Sequence, residues 1–314
     1  MNHLTFQKFT EEILTSITSY LPEAYADVSI DLQRIPKPGN KILTAIGIRQ
    51  PSNHTVPVIY LDDTYQKYCD GADMDAILSE LADTIQKEMT RLPDMRPYLE
   101  WSVAKDLIVS RLINMQLNSA YIADRPVRAI ENSDIGIIYD IELSHVINQG
   151  MTAAVTYTLM EQWGIAIQDL DTAARKNTPQ LRPVCIQSLG QMLSEVIADA
   201  EPLETPNLLY VITNADLCQG AVAVTYPGIE DQLKKKLGDF YLIPSSTHEM
   251  LAVSQAVMEP EKIAEMIRDV NANDVAPEDV LDDVPYLLQD GYLIPVNDTV
   301  SFDIPRCIPV TPFS

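Results

Sequence analysis

Five consecutive residues, Ser245-Ser246-Thr247-His248-Glu249, hold the densest set of reactive side chains in the sequence. Hydroxyls, an imidazole and a carboxylate are the ingredients of nucleophilic acyl chemistry. A serine attacks, a histidine takes its proton, and a carboxylate orients the histidine. Ser245, Ser246, His248 and Glu249 are therefore the candidate catalytic residues. Their spacing argues against a local triad. Neighbours on a strand point to opposite faces, so Glu249 is badly placed to orient His248 and a carboxylate from elsewhere in the fold would be needed. No GxSxG elbow exposes either serine. A second reading needs no catalysis: Ser245, Ser246 and Thr247 turn the chain between two apolar strands and satisfy backbone groups, while His248 is held by hydrogen bonds.

Other chemistries find less support. The four histidines, His3, His54, His145 and His248, show no ligand spacing, and HExxH is absent. A site assembled in space from His145, His248 and acids has no motif pointing to it, so no metal is expected. The 11 glycines form neither GxGxxG nor GxxxxGK[ST], which argues against the usual nucleotide cofactors. Cys69, Cys185, Cys218 and Cys307 stand far apart without a CxxC pair, as small core residues or free thiols would.

Charge bounds the partners. Lys and Arg number 22 against 45 Asp and Glu, a formal charge of −23. Such a surface repels nucleic-acid phosphates and anionic lipid, so neither direct nucleic-acid binding nor membrane binding is expected. The one basic run, Lys234-Lys235-Lys236, precedes Leu237-Gly238, as cations do at a helix C-terminus. From Glu259 to Asp290 there are ten acids against Lys262 and Arg268, a net −8. Such a region is either a solvated face that aids solubility or a docking surface for a basic protein partner. Asp274, Asp279, Asp282 and Asp283 lack the calcium-loop ligand order and its central glycine. No stretch approaches the roughly 20 apolar residues of a membrane span. Met1 to Tyr20 lacks the basic start and apolar core of an export signal, so a cytoplasmic location is expected.

The elements that must position these groups follow from periodicity. Leu4 to Tyr20 reads as a helix closed by Pro22, and Asp27–Arg34 with Lys41–Arg49 as a hairpin around Pro36-Lys37-Pro38-Gly39-Asn40. Val56–Leu61 is a third strand, Asp62-Asp63 can cap the next helix, and Asp73–Arg91 is a longer helix. Asp106–Asn114 fits strand or helix. Ile135–Leu143 and Met151–Leu159 read as strands, and Ile167–Lys176 as a helix before a Pro179–Pro183 loop. In the last part, strands are expected at Leu208–Thr213, Gly220–Tyr226, Phe240–Ile243 and Met250–Val253. Helices are expected over Gly228–Leu237, over Pro260–Val270 with Ile263, Met266 and Ile267 inward, and from Pro277. The length prior is about two domains of roughly 150 residues. Pro93 and Pro97 place a boundary after residue 97, giving an N-terminal α+β unit, 1–97, and a C-terminal α+β domain, 98–314, with a sub-boundary near 200–206.

The hairpin segment also resembles the most recognisable stretch of an uncharacterised family of gut clostridia and related Firmicutes, a domain of unknown function. The resemblance extends to Asn114–Asn118, Ile135–Ile141, Trp163-Gly164-Ile165 and Asn177-Thr178. It includes Val211-Ile212-Thr213-Asn214 with Gly220-Ala221, Ile267–Asn271 and Asp279–Tyr286. It covers nearly the whole chain through the order of several weak motifs. It implies cytoplasmic bacterial proteins and names no activity, cofactor or catalytic residue. The second half is more faintly similar to another uncharacterised bacillar family of α+β build.

The expected fold is α+β, with mixed or antiparallel sheets flanked by amphipathic helices. Three functions are carried forward. The first is a soluble, non-enzymatic binding or interaction protein with an acidic surface. The second is a serine/histidine hydrolase using Ser245 or Ser246 with His248. The third is an acidic mimic of nucleic acid that inhibits a DNA-binding enzyme. Oligomeric state has no signature here.

Overall fold

A computed structural model describes residues 3–51, 55–91, 93–144, 150–188, 190 and 208–296. His54, His145, Cys307 and the sub-boundary near 200–206 lie outside the described residues. The chain forms two compact units. The first comprises Met1–Ser110, Met115–Arg128 and Ile138–Leu181; the second comprises Arg111–Asn114, Ala129–Ile137 and Arg182–Ser314. The division expected after residue 97 therefore falls inside the first unit. A polar contact explains why residues 105–110 stay there: Asn177 Nδ2 donates to the carbonyls of Lys105 (2.8 Å) and Ile108 (3.2 Å), and Ser110 N donates to Thr178 Oγ1 (3.1 Å).

In the first unit, helix α1 (Phe6–Ser16) starts at Thr5, whose hydroxyl accepts from Lys8 N. Its buried stripe of Phe9 and Ile13 continues to Ile17 in the following 3₁₀ turn. Strands β1 (Ser29–Lys37), β2 (Lys41–Arg49) and β3 (Val58–Tyr60) form an antiparallel sheet in that order. Gly39 and Asn40 take positive φ at the β1–β2 turn, as tight turns require. Helix α2 (Asp62–Cys69) begins after Leu61. Asp62 does not cap it; its Oδ2 accepts from Thr44 N at 3.0 Å and ties α2 to β2. Helix α3 (Met74–Thr90) is capped by Asp73. Its Ile77, Leu78, Leu81, Ala82 and Ile85 pack with Phe9, Ile13, Ile46, Ile48 and Leu61 in one core. Each such large side chain contributes about 1.5–3 kcal/mol by leaving water.

After helix α4 (Trp101–Ala104) comes a four-stranded sheet made of β4 (Ile108–Asn114), β5 (Val127–Ala129), β6 (Ile135–Glu142) and β7 (Thr152–Ala154). Its order is β4–β6–β5, with β7 pairing antiparallel to β6. Every residue of β4 and β6 is buried. Strands buried on both faces lose the alternation that marks a strand in sequence, which is why Asp106–Asn114 fitted two patterns. The expected strand at 151–159 ends at Ala154. Thr156 then caps helix α6 (Tyr157–Trp163) by accepting from Leu159 N, and α5 (Ser119–Ile122) precedes both. Helix α7 (Ile167–Leu181) runs through Pro179, where a loop was expected.

The second unit is built on a six-stranded antiparallel sheet of β8 (Val184–Ser188), β9 (Leu209–Asn214), β10 (Phe240–Ser246), β11 (Glu249–Ser254), β12 (Tyr286–Gln289) and β13 (Tyr292–Pro295). Its order is β13–β12–β10–β11–β9–β8. The strand expected at Gly220–Tyr226 is instead a 3₁₀ turn over Ala221–Thr225, because β8 and β11 already occupy both sides of β9. Helix α8 (Ile229–Leu237) carries Lys234, Lys235 and Lys236 in its last turn, where the helix dipole favours cations. Helix α9 (Pro260–Asn273) packs Ile263 and Ile267 on Ile243 and Val253. Met266, expected inward, is exposed at the flank of that buried stripe. The helix expected from Pro277 is a turn. Among the described residues no helix is long and apolar enough to cross a membrane.

One buried ion pair separates strong from weak electrostatics. In the first unit Arg125 pairs with Asp140, both side chains 4% exposed, and donates to Tyr121 Oη (2.7 Å) and to the Tyr139 carbonyl (2.9 Å). Asp140→Ala leaves a buried guanidinium without its counter-charge. We expect it to lower unfolding free energy by about 3–5 kcal/mol. Asp31→Ala, which breaks the exposed pair with Arg49, should cost less than about 1 kcal/mol. Urea denaturation of both variants checks the contrast.

Candidate functional site

The candidate residues sit at the β10–β11 hairpin. Ser246 pairs with Glu249, so Thr247 and His248 form the turn. The ladder slips between Ile243 and Ser246, where Pro244 and Ser245 stand opposite Met250 alone. Pro244 has no N–H for a regular ladder, and a bulge is where a strand tolerates proline. The slip turns Ser245 so that its Oγ donates to Glu249 Oε1 at 3.3 Å. Ser246 Oγ accepts from His248 N at 3.1 Å, closing the turn.

His248 and Glu249 are not brought together. The imidazole meets two other groups. Nδ1 accepts from Gln219 N at 3.1 Å, and Nε2 lies 3.2 Å from Asp279 Oδ1. With Nδ1 accepting, the neutral ring carries its proton on Nε2 and donates it to Asp279. Asp279 also accepts from Thr247 twice, through Oδ1 from the hydroxyl (2.8 Å) and through its carbonyl from the amide (2.8 Å). The ring is 40% exposed and Asp279 31%. In this arrangement the lone pair a base would use is taken by a backbone N–H, and neither serine hydroxyl is bonded to the ring.

The turn is locked from behind by the end of β9. Thr213 Oγ1 donates to His248 O (2.8 Å), Gly220 N donates to the same carbonyl (3.0 Å), and Ala221 N donates to Thr247 O (3.2 Å). The intervening loop wraps the Asn214 carboxamide: Oδ1 accepts from Asp216 N and Cys218 N, and Nδ2 donates to Cys218 O at 2.7 Å. Leu217 and Gln219 take φ of 53° and 52° there, conformations that cost a side chain about 1–2 kcal/mol.

A second polar knot lies beyond the sequence candidates. Tyr286 Oη donates to Asp282 Oδ2, and Ser133 Oγ contacts both and accepts from Ile135 N at 2.8 Å. Burial, then the neighbouring Asp282, pushes the Tyr286 hydroxyl far above the ordinary tyrosine range. Desolvation first, then Asp282 and Asp283, raises the carboxyl of Asp134. Asn271 Nδ2 holds the strand entry by donating to Asp282 O (3.1 Å) and Asp283 Oδ1 (2.8 Å). Among the described residues no group of three or more His, Cys, Asp or Glu side chains is placed to hold a metal ion.

Sequence reasoning missed Asp279, Gln219 and Gly220 as neighbours of His248. The signal was present as separate words: Val211–Asn214, Gly220-Ala221, the hairpin and Asp279–Tyr286 were each singled out, and the fold gathers them at one turn.

Two tests follow. A Cβ at Gly220 would stand 2.5 Å from Asn214 N and 2.8 Å from His248 O, both backbone. At Gly47 the obstacle is the movable end of Gln33. Gly220→Ala should therefore cost more than about 2 kcal/mol, and Gly47→Ala clearly less, by thermal and urea unfolding. For Asp134, the folded state holds its proton more tightly than the unfolded chain. Its contribution favours the fold below the ordinary carboxylate range and is lost as pH rises through the raised value. We expect Asp134→Asn to be more stable than the parent above that window, by a margin that disappears in acid and shrinks in high salt. Unfolding midpoints across pH 3 to 7 (about one point per half unit) read this directly.

No curated protein and no solved structure matches the chain. A family model matches residues 6–289, spanning both units and every group described at the hairpin. The chain belongs to a family of unknown function (DUF5688).

Proposed function

We propose that this chain is a non-catalytic binding protein that presents an acidic surface to a basic protein partner. The observation that carries this reading is how the ten acids between Glu259 and Asp290 are used. Asp279 and Asp282 work inside the fold, holding Thr247, His248 and Tyr286. Seven others, Glu259, Glu261, Glu265, Asp269, Asp274, Asp283 and Asp290, are exposed. On α9, Glu261, Glu265 and Asp269 recur every four residues and so share one face. Helix stability accounts for part of this set. Acids at the N-terminus suit the dipole, but the C-cap Asp274 opposes it, a cost of about 0.3–1 kcal/mol. An exposed row of carboxylates that runs beyond the first turn, where the dipole would favour it, suits attraction of a cationic surface, which steers encounter and sets specificity.

The second reading, a hydrolase, has the His248–Asp279 pair in its favour. It needs the ring to give up Gln219 before Nδ1 can accept a serine proton, so it ranks below the first.

The test is a titration of the full chain with a fluorescent lysine-rich peptide at graded salt. The variant Glu261→Gln/Glu265→Gln/Asp269→Asn is compared with a control of equal charge change, Glu11→Gln/Glu12→Gln/Glu23→Gln. We expect the α9 variant to weaken binding roughly tenfold and the control to change it by less than about twofold. Equal losses in both would reduce the effect to bulk charge and sink the reading.

A further inference from the structure

We propose that His248 is a proton-operated catch that holds Gln219, the end of the loop over residues 215–219, against the β10–β11 turn and releases it on protonation. The inference is independent of the acidic face of α9. It rests on what the two ring nitrogens face. Nδ1 accepts the Gln219 amide, and Nε2 faces the Asp279 carboxylate. Histidine is the side chain whose ordinary titration falls between about pH 5 and 8. A proton arriving from solvent can add only at Nδ1, because Nε2 already carries one. That lone pair then becomes an N–H pointing at another N–H. The contact with Gln219 changes from attraction to repulsion, while the contact with Asp279 becomes a charge-assisted bond and tightens. The ring stays with the acid and lets go of the loop.

The loop is prepared for release. Leu217 and Gln219 are both held at positive φ without being glycine, so the backbone favours relaxation once the hold on Gln219 is gone. Leu217 is 65% exposed, so freeing it uncovers no core. The remaining holds do not titrate in this range: within the loop the Asn214 carboxamide grips Asp216 and Cys218, and after it Gly220 N stays on His248 O, so what is released is the loop's end at Gln219. The movement is thereby confined to a few residues. The titratable groups on elements around the ring are Asp279 of the 277–279 turn, Glu249 of β11, and Asp216 and Cys218 of the loop. Glu249 is bonded by Ser245. Asp279 is the one in contact with the ring.

The experiment uses the full chain labelled with nitrogen-15. Imidazole spectra identify the neutral tautomer and follow the His248 titration, and hydrogen exchange gives the Gln219 amide protection factor at each pH. We expect the neutral ring to be protonated on Nε2. Gln219 protection should fall about tenfold as the ring titrates, as loss of one hydrogen bond implies, with the Gly220 amide unaffected. In His248→Gln the carboxamide oxygen can accept the same amide without titrating, so protection should persist and be independent of pH. A neutral ring protonated on Nδ1, or Gln219 protection unchanged through the wild-type titration, would overturn the proposal. Both readings come from the wild-type chain and stand even if the variant does not fold.

Discussion

The β10–β11 turn is held by contacts that come from three separate stretches of chain, and the second unit is organised around that closure. Two donors, Thr213 Oγ1 and Gly220 N, converge on the single carbonyl of His248. Thr247 and the His248 ring reach Asp279 on the other side. The approach is so close that position 220 has no room for a Cβ beside Asn214 N and His248 O. A backbone carbonyl with two good donors and a carboxylate with two are satisfied polar groups, and satisfied groups hold a geometry because every alternative leaves one of them unpaired.

That closure gives the same residues two meanings. A serine–histidine–acid set looks catalytic when written as a string. In space the acid that meets the imidazole is Asp279, the serines close the turn and the bulge, and a backbone amide occupies the basic nitrogen. The chemistry of the imidazole is therefore directed at the protein's own backbone. A neutral ring between a backbone donor and a carboxylate serves both, whereas a protonated one, with two N–H groups, suits the carboxylate alone.

The acids of the C-terminal region divide by the same logic of satisfaction. Asp279 and Asp282 are taken up by hydroxyls and the imidazole, while the exposed carboxylates of α9 face water. Buried charge demands a partner at close range, as Arg125 and Asp140 show in the first unit. Exposed charge is screened and free to attract something else.

Much of the fold was legible because periodicity and punctuation are local. The β1–β2 hairpin, α3 with its Asp73 cap, α8 ending in lysines and the paired strands around the polar turn follow from apolar spacing, proline, glycine and capping residues. Three kinds of position were not legible. Strand β4 is buried throughout and has no alternation to read. The apolar run Ala221–Val224 is equally buried, and only the occupied neighbours of β9 decide that it is a turn and not a strand. Met266 lies at the edge of a helical stripe, where exposure depends on what packs alongside. The site was half legible: the sequence supplied His248, the serines and the abundance of acid, since residue type is chemistry. Which carboxylate meets the imidazole, what each ring nitrogen faces and which acids remain exposed were decided by tertiary structure alone. A hydrogen bond depends on ångström distances between residues that lie about 30 positions apart in the chain.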